Sequence, residues 1–222
     1  MNLSGWAVFN YGEKKIYDTA IGQINNYWKF IQQEVIRRKK KGEPLYGYNE
    51  NVLFQWPNGC YAPMLGIRES RRIICDRMLI QQDLTRLLTS SDIGRNIAIG
   101  SHEIDFHVYG YLSVEEIRKF NDEQLRPSGI PFDCMVPKRF DNVLVACRAY
   151  GASHIALAAR RINKDMAQLG WAAGNAIKWC LRNLGTDCNV RNTNISDIQS
   201  DEYTGFKKEI ENMEQSILKQ EV

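Results

Sequence analysis

The chain is expected to fold as an α/β protein of mixed helices and strands. Three observations point there. Residues 13–41 and 165–183 carry apolar side chains at helical spacing, Ser101–Tyr109 alternates between apolar and polar from Glu103 onward, and Asn142–Ala146 (NVLVA) is a compact apolar run. The first pattern belongs to helices with one buried face, the second to a half-buried strand, and the third to a strand buried on both faces.

The composition supports a folded chain. With 222 residues, 44% hydrophobic and 25% charged, it carries enough apolar surface to offset the entropy of ordering, which excludes intrinsic disorder and fibrous architectures. A net charge of +3 is too weak a basic bias for a nucleic-acid partner. No stretch reaches the ~18 consecutive apolar residues of a membrane span. The opening Met1-Asn2-Leu3-Ser4-Gly5 lacks the basic and apolar regions of an export signal, so the location read from it is cytoplasmic, unless a signal lies in missing upstream sequence. The six cysteines (60, 75, 134, 147, 180 and 188) include no Cys-x-x-Cys, so no metal site or iron–sulfur cluster is expected, and reduced, mostly buried thiols are.

Taken in order, the first element is one long helix over Glu13–Lys41, with Ile16, Ala20, Ile24, Tyr27, Phe30, Ile31, Val35 and Ile36 on its apolar stripe and only Gly22 interrupting. It ends in Arg37, Arg38, Lys39, Lys40 and Lys41 before Gly42. That run is either a phosphate-binding patch or the cationic end that suits a helix C-terminus, and the second reading is the simpler one. Short extended pieces around Pro57-Asn58-Gly59 follow. Asp83–Leu88 reads as a short helix, and Ser90-Ser91-Asp92 as a cap leading into another through Ile97. Within Ser101–Tyr109, Ile104, Phe106 and Val108 share one face, while Glu103, Asp105, His107 and Tyr109 share the other. Ser113-Val114-Glu115-Glu116 has the form of a capping box, Pro127–Pro131 reads as loop and Cys134–Val136 as a strand. The second strong helix, about Asp165–Asn183, packs Gly170, Ala172, Ala173, Gly174 and Ala176 together. Small residues there serve either tight packing against a neighbouring element or close approach of a ligand. A final amphipathic helix through Phe206, Ile210, Met213 and Ile217 closes the chain.

Five segments then combine into a resemblance. In order, LGIRESRRIICDRMLIQQDL, IAIGSHEIDFH, FDCMVPKRFDN, NVLVACR with ASHIALAARRI, and QLGWAAGNA resemble the C-terminal portion of the FAD-dependent oxidoreductases related to the flavoprotein subunit of heterodisulfide reductase. The matching family blocks are Gly-Ile-Arg-Glu-Ser-Arg-Arg, a strand ending in Ile-Asp-x-His, a Cys-x-Val-Pro loop, a Val-Ala-Gly-Arg strand and a Gly-x-Ala-Ala-Gly helix, over roughly residues 65–176. The resemblance implies a substrate-side region over residues 1–135 with a mixed sheet. It also implies a returning strand and helix over 136–185 that complete an FAD domain, and a tail over 186–222.

The resemblance also implies where chemistry would lie. The helix containing Gly170, Ala172, Ala173 and Gly174 would face the flavin, with Arg148 and Arg161 as nearby cations, since free N–H groups and positive charge favour an anionic reduced flavin. His107 would act as general acid or base on the substrate side, against the simpler reading that Glu103, Asp105 and His107 form an exposed polar face. His154 is a candidate contact or a packing residue. Arg68, Arg71 and Arg72 would bind an anion or pair with Glu69 and Asp76. No Gly-x-Gly-x-x-Gly follows any strand, so the cradle for the FAD pyrophosphate is expected in a segment outside this chain. Cys147, Ala159 and Lys164 replace the family's glycine, serine and proline, and Trp171 fills the variable place in Gly-x-Ala-Ala-Gly.

The function read from these residues is the C-terminal part of an FAD-dependent oxidoreductase. Its partner is a separate Rossmann-domain polypeptide or another copy of itself, and its small-molecule substrate is unspecified. An incomplete gene model, with the missing half encoded upstream, would leave the same sequence. The alternative is a degenerate or truncated relative, without flavin, acting as a non-catalytic interaction module.

Overall fold

The computed structural model describes residues 5–45, 61–66, 69, 71–105, 113–200 and 206–219. The chain is a mixed α/β protein whose contacts separate into two compact units, residues 1–70 and 71–222. Among the described residues no helix is long and apolar enough to cross a membrane.

In the first unit, α1 (Gly5–Tyr11) turns through Gly12 into α2 (Glu13–Lys41), the long helix that the apolar spacing predicts. Gly42 ends it in the left-handed conformation, φ +67°, where the lack of a Cβ removes the penalty. The basic run fills the last turn as the capping reading expects. Its first two members are also paired: Arg37 reaches Glu34 at 2.7 Å and Glu43 at 2.8 Å, and Arg38 reaches Glu34 at 2.8 Å. Arg37, with Arg38, holds the Glu34 carboxyl down to about 2. Along the stripe only part is covered: Ile16 and Val35 are buried, whereas Ile24, Tyr27, Phe30 and Ile36 are exposed.

The second unit is built on a two-stranded antiparallel sheet. Strand β1 (Asn96–Gly100) pairs with β2 (Ser128–Pro131), setting Ala98 against Ile130 and Gly100 against Ser128. Both strands correct the sequence expectation, which extends a helix through Ile97 and makes 127–131 a loop. Serines 90 and 91 with Asp92 do form a turn of 3-10 helix, but the chain then extends because Ile97, Ala98 and Ile99 are all buried. A helical turn would carry one of them away from the core. The expected helix at Asp83–Leu88 is a 3-10 segment at Gln81–Thr85, and Phe132–Met135 is another where a strand is expected at 134–136.

Five further helices complete the described part of this unit: α3 (Val114–Glu123), α4 (His154–Ala159), α5 (Asn163–Asn183), the single turn α6 (Ile195–Ile198) and α7 (Phe206–Leu218). The α3 capping box forms as its sequence predicts: the Glu116 N–H donates to Ser113 Oγ at 3.1 Å, and the Ser113 N–H donates to the Glu116 carboxylate at 2.6 Å. One core joins Leu79, Leu84, Ile97 and Phe132 to Leu157, Leu169, Ala172 and Ala176, so it runs across residues 135 and 136 without a break. A second cluster seats Phe206 and Ile210 of α7 on Leu88 and Ile99.

The expected strand at Asn142–Ala146 is not a strand. Its residues join no ladder; the Val145 N–H donates to the Met135 carbonyl at 2.9 Å. Strand character is a relation between chains, and no described segment lies alongside to complete it. The outer edge of β1 is instead closed by side chains. Gln168 of α5 accepts from the Ile99 N–H and donates to the Ile99 carbonyl, both at 2.9 Å. Gln199 donates to the carbonyls of Gly94 and Asn96.

At Gly151 a Cβ would stand 1.8 Å from Cys75 Sγ and 3.2 Å from the Cys134 carbonyl oxygen. Gly151→Ala is therefore expected to lower the unfolding free energy by roughly 2 kcal/mol, as overpacking does. Urea unfolding should show this as a lower midpoint at constant slope, with Cys75→Ala in the same background restoring part of it.

Candidate functional site

The arginine that sequence reasoning passes over is the most deeply set. Arg160 caps α4 and is completely buried. Its Nη1 donates to the carbonyls of His102 and Ala159, each at 3.0 Å; its Nη2 donates to the Arg126 carbonyl at 3.1 Å and to Ser128 Oγ at 2.8 Å. Its own carbonyl accepts from Tyr150 Oη at 2.9 Å. Burial pushes the guanidinium down to about 10.

Beside it, Asp165 lies in the first turn of α5, also fully buried. Among the described residues, both of its carboxylate oxygens and Arg160 Nε lack a hydrogen-bond partner. Gly100 faces both: a Cβ there would stand 2.4 Å from Arg160 Cδ and 3.1 Å from Asp165 Oδ1. Desolvation outweighs the attraction of Arg160 and lifts the Asp165 carboxyl to about 6. A signal for this pair exists in the sequence, because Arg160 closes the apolar run Ile155–Ala159, where a charged side chain must find internal partners.

The two arginines singled out by resemblance do come together at the start of α5. Arg148 Nε donates to the Arg161 carbonyl at 3.0 Å, and its Nη2 to Asn163 Oδ1 at 3.1 Å. Arg161, 8% exposed, donates to the Asp105 carbonyl and lies 3.7 Å from its carboxylate. Arg148 is the exposed member of the pair.

Along α5 the small residues divide between two faces. Ala172, Ala173 and Ala176 are buried in the core and let the helix lie close on it. Gly170 and Gly174 face outward, and a Cβ on either would meet nothing within 4 Å. They continue an exposed line that starts at Asn163 and Ala167 and runs on to Ile177, Leu181 and Leu184. The helix begins seven residues before Gly170, so its free N–H groups lie about 10 Å from that glycine. They lie instead beside Arg148 and Asn163. What the arrangement offers a flavin is an open helix side with a guanidinium at its N-terminal end, which fits a ring edge. Among the described residues it holds no glycine-rich cradle for a pyrophosphate.

His107 lies outside the described residues, as do Phe106, Val108, Tyr109 and Arg68. The described part of that segment keeps the expected alternation, with Glu103 exposed, Ile104 buried and Asp105 half-buried, but residues 101–105 join no ladder. The Ile104 N–H is taken by Asn121 Oδ1 at 3.0 Å. His154 is exposed at the first position of α4. Asp76, expected opposite the 68–72 arginines, is engaged by Arg191 at 2.7 Å. Among the described residues no three His, Cys, Asp or Glu side chains gather as metal ligands.

Comparison with known proteins agrees with the motifs. The FAD dependent oxidoreductase family model matches residues 6–201, well beyond the 65–176 stretch that carries the motifs. The chain belongs to the FAD-dependent oxidoreductase family. No curated protein matches it, and no solved structure does.

Asp165 supplies a stability test. Its folded-state pKa lies above the ordinary 3.8, so its contribution is fully present below that value and is lost as pH rises through about 6. The loss amounts to roughly 3 kcal/mol, about two pKa units. Asp165→Asn is expected to remove this slope, read as the difference between variant and wild-type unfolding curves from pH 4 to pH 7.

Proposed function

We propose that this chain is the flavin-edge and substrate-side part of an FAD-dependent oxidoreductase akin to the flavoprotein subunit of heterodisulfide reductase, working with a nucleotide-binding polypeptide that carries the phosphate cradle. The observation that supports the reading is the open line Asn163, Ala167, Gly170 and Gly174 on α5, which starts at the exposed Arg148. Glycines without a neighbour on that side admit a planar ring against the helix backbone. When bound, FAD supplies transfer of a hydride or electron pair to or from a substrate.

The chain's own residues orient and stabilise. Arg148 and Arg161 favour negative charge at the start of α5, and Asn163 fixes the Arg148 fork. Ala172 and Ala173 hold the helix down so that Gly170 and Gly174 stand at its surface. His107 carries a proton on the substrate side, and a His107→Ala variant with unchanged turnover would remove it from the mechanism. The division at 135/136 is in this reading one of role within a single continuous core, and a cytoplasmic location belongs to the same reading. Val143, Ile177, Leu181 and Leu184, all exposed, give the partner polypeptide or a second copy apolar surface to cover.

A second reading, a non-catalytic interaction module, is favoured by Cys147. This side chain stands exposed beside Arg148, where the family pattern has glycine.

Visible absorption after incubation with FAD and gel filtration separates the two. Flavin retained by the chain alone, or with a Gly-x-Gly-x-x-Gly polypeptide, is expected, and Gly174→Leu should abolish it while leaving the melting temperature unchanged or raised. Colourless protein under both conditions overturns the flavin reading and leaves the interaction module.

A further inference from the structure

On α2 the uncovered part of the apolar stripe runs into the basic cluster, and the flavin reading uses neither. The covered side of this helix is the line Tyr17, Trp28 and Val35, half-buried at its first two members and buried at the third. Tyr17 Oη donates there to the Ala62 carbonyl at 2.8 Å. Phe30 lies about 140° around the helix from that line. With Tyr27 it forms an uncovered ridge, the two residues 59% and 58% exposed and their rings stacked at 6.4 Å between centroids, and the exposed Ile24 stands one step before them. Arg37 and Lys41 follow Phe30 by two and three turns, which returns them to its side, and the exposed Lys29 and Lys40 flank it.

Charge is concentrated on the same helix. It holds eight cations against three carboxylates, a net +5 in a chain whose total is +3, so the remainder of the chain sums to −2. Those carboxylates do little to oppose the field near Phe30: Asp18 is paired with Lys14 at 2.9 Å, Glu34 is shared by Arg37 and Arg38, and Glu13 lies in the first turn, at the far end. Capping accounts for cations in the last turn, but neither for Lys29 nor for two uncovered aromatic rings.

A surface complementary to this side presents dense negative charge with an apolar layer directly beneath it. We propose that α2 binds an anionic lipid bilayer, lying in the plane of its surface, with Tyr27 and Phe30 entering the headgroup layer and Lys29, Arg37, Lys40 and Lys41 set against lipid phosphates. Aromatic rings are the side chains that favour that layer. The line Tyr17, Trp28 and Val35 stays turned toward the unit's own residues. A nucleic acid would match the charge but leave Tyr27 and Phe30 without a role.

The test spins the full chain, cleared of aggregates beforehand, with sucrose-loaded vesicles of phosphatidylcholine alone or of phosphatidylcholine and phosphatidylglycerol in a two-to-one ratio. Expected is sedimentation with the mixed vesicles only at about 0.1 M salt, and release at about 1 M, where screening confines charge interactions to ~3 Å. Replacing Lys29, Lys40 and Lys41 together by Gln should lower the partition coefficient roughly a hundredfold. Tyr27→Ser combined with Phe30→Ser should lower it roughly tenfold. Both variants alter exposed side chains, so their circular dichroism should match the parent's. Equal sedimentation with the two vesicle types, or with neither, overturns the proposal. So does a Tyr27→Ser, Phe30→Ser protein that partitions like the parent, or one that loses self-association instead of lipid binding, which would assign the ridge to a second copy of the chain.

Discussion

A guanidinium held away from water is the constraint around which the larger unit is arranged. Burying Arg160 is tolerable only because its two terminal nitrogens find four acceptors, and those acceptors come from residues 102, 126, 128 and 159, most of them far apart in the chain. The end of β1, the start of β2 and the corner between α4 and α5 are therefore tied to one side chain, and moving any of them strands a donor. Gly100 is part of the same constraint, since any larger residue would occupy the space of Arg160 and Asp165.

The position of α5 follows from that anchorage. Its first turn carries Asp165 beside Arg160, its second bonds Ile99 through Gln168, and its alanines lie on the core. With so much of the helix committed inward, the side bearing Gly170 and Gly174 is what remains for a ligand or partner. That open face is thus a by-product of packing on the opposite one, which is why the alanines and glycines of α5 differ in burial although they are neighbours in sequence.

Local signals were the legible ones. The bounds of α2, the Ser113 capping box and nearly the whole of α5 follow from spacing and caps because each depends on residues within a turn or two. Both strands escaped, since Asn96–Gly100 is short, follows a helix-capping triplet and declares itself only through its partner at 128–131. The opposite error at Asn142–Ala146 has the same origin: an apolar run predicts burial, not the neighbour that makes a ladder. The motifs led to the family and to the meeting of Arg148 and Arg161. They did not lead to Arg160 or Asp165, whose importance lies in contacts across 32 and 58 residues of chain, or between two adjacent helices.

The glutamine clamp on β1 has a further meaning for how this protein can assemble. A two-stranded ribbon with a bare margin invites a stranger's strand, and with it fibrils or swapped dimers. Here Ile99 offers neither its N–H nor its carbonyl, because one amide side chain occupies both, and Gln199 takes the carbonyls just before it. Strand addition is shut off at Ile99, so a companion must read side chains rather than backbone at that position, a more selective kind of contact.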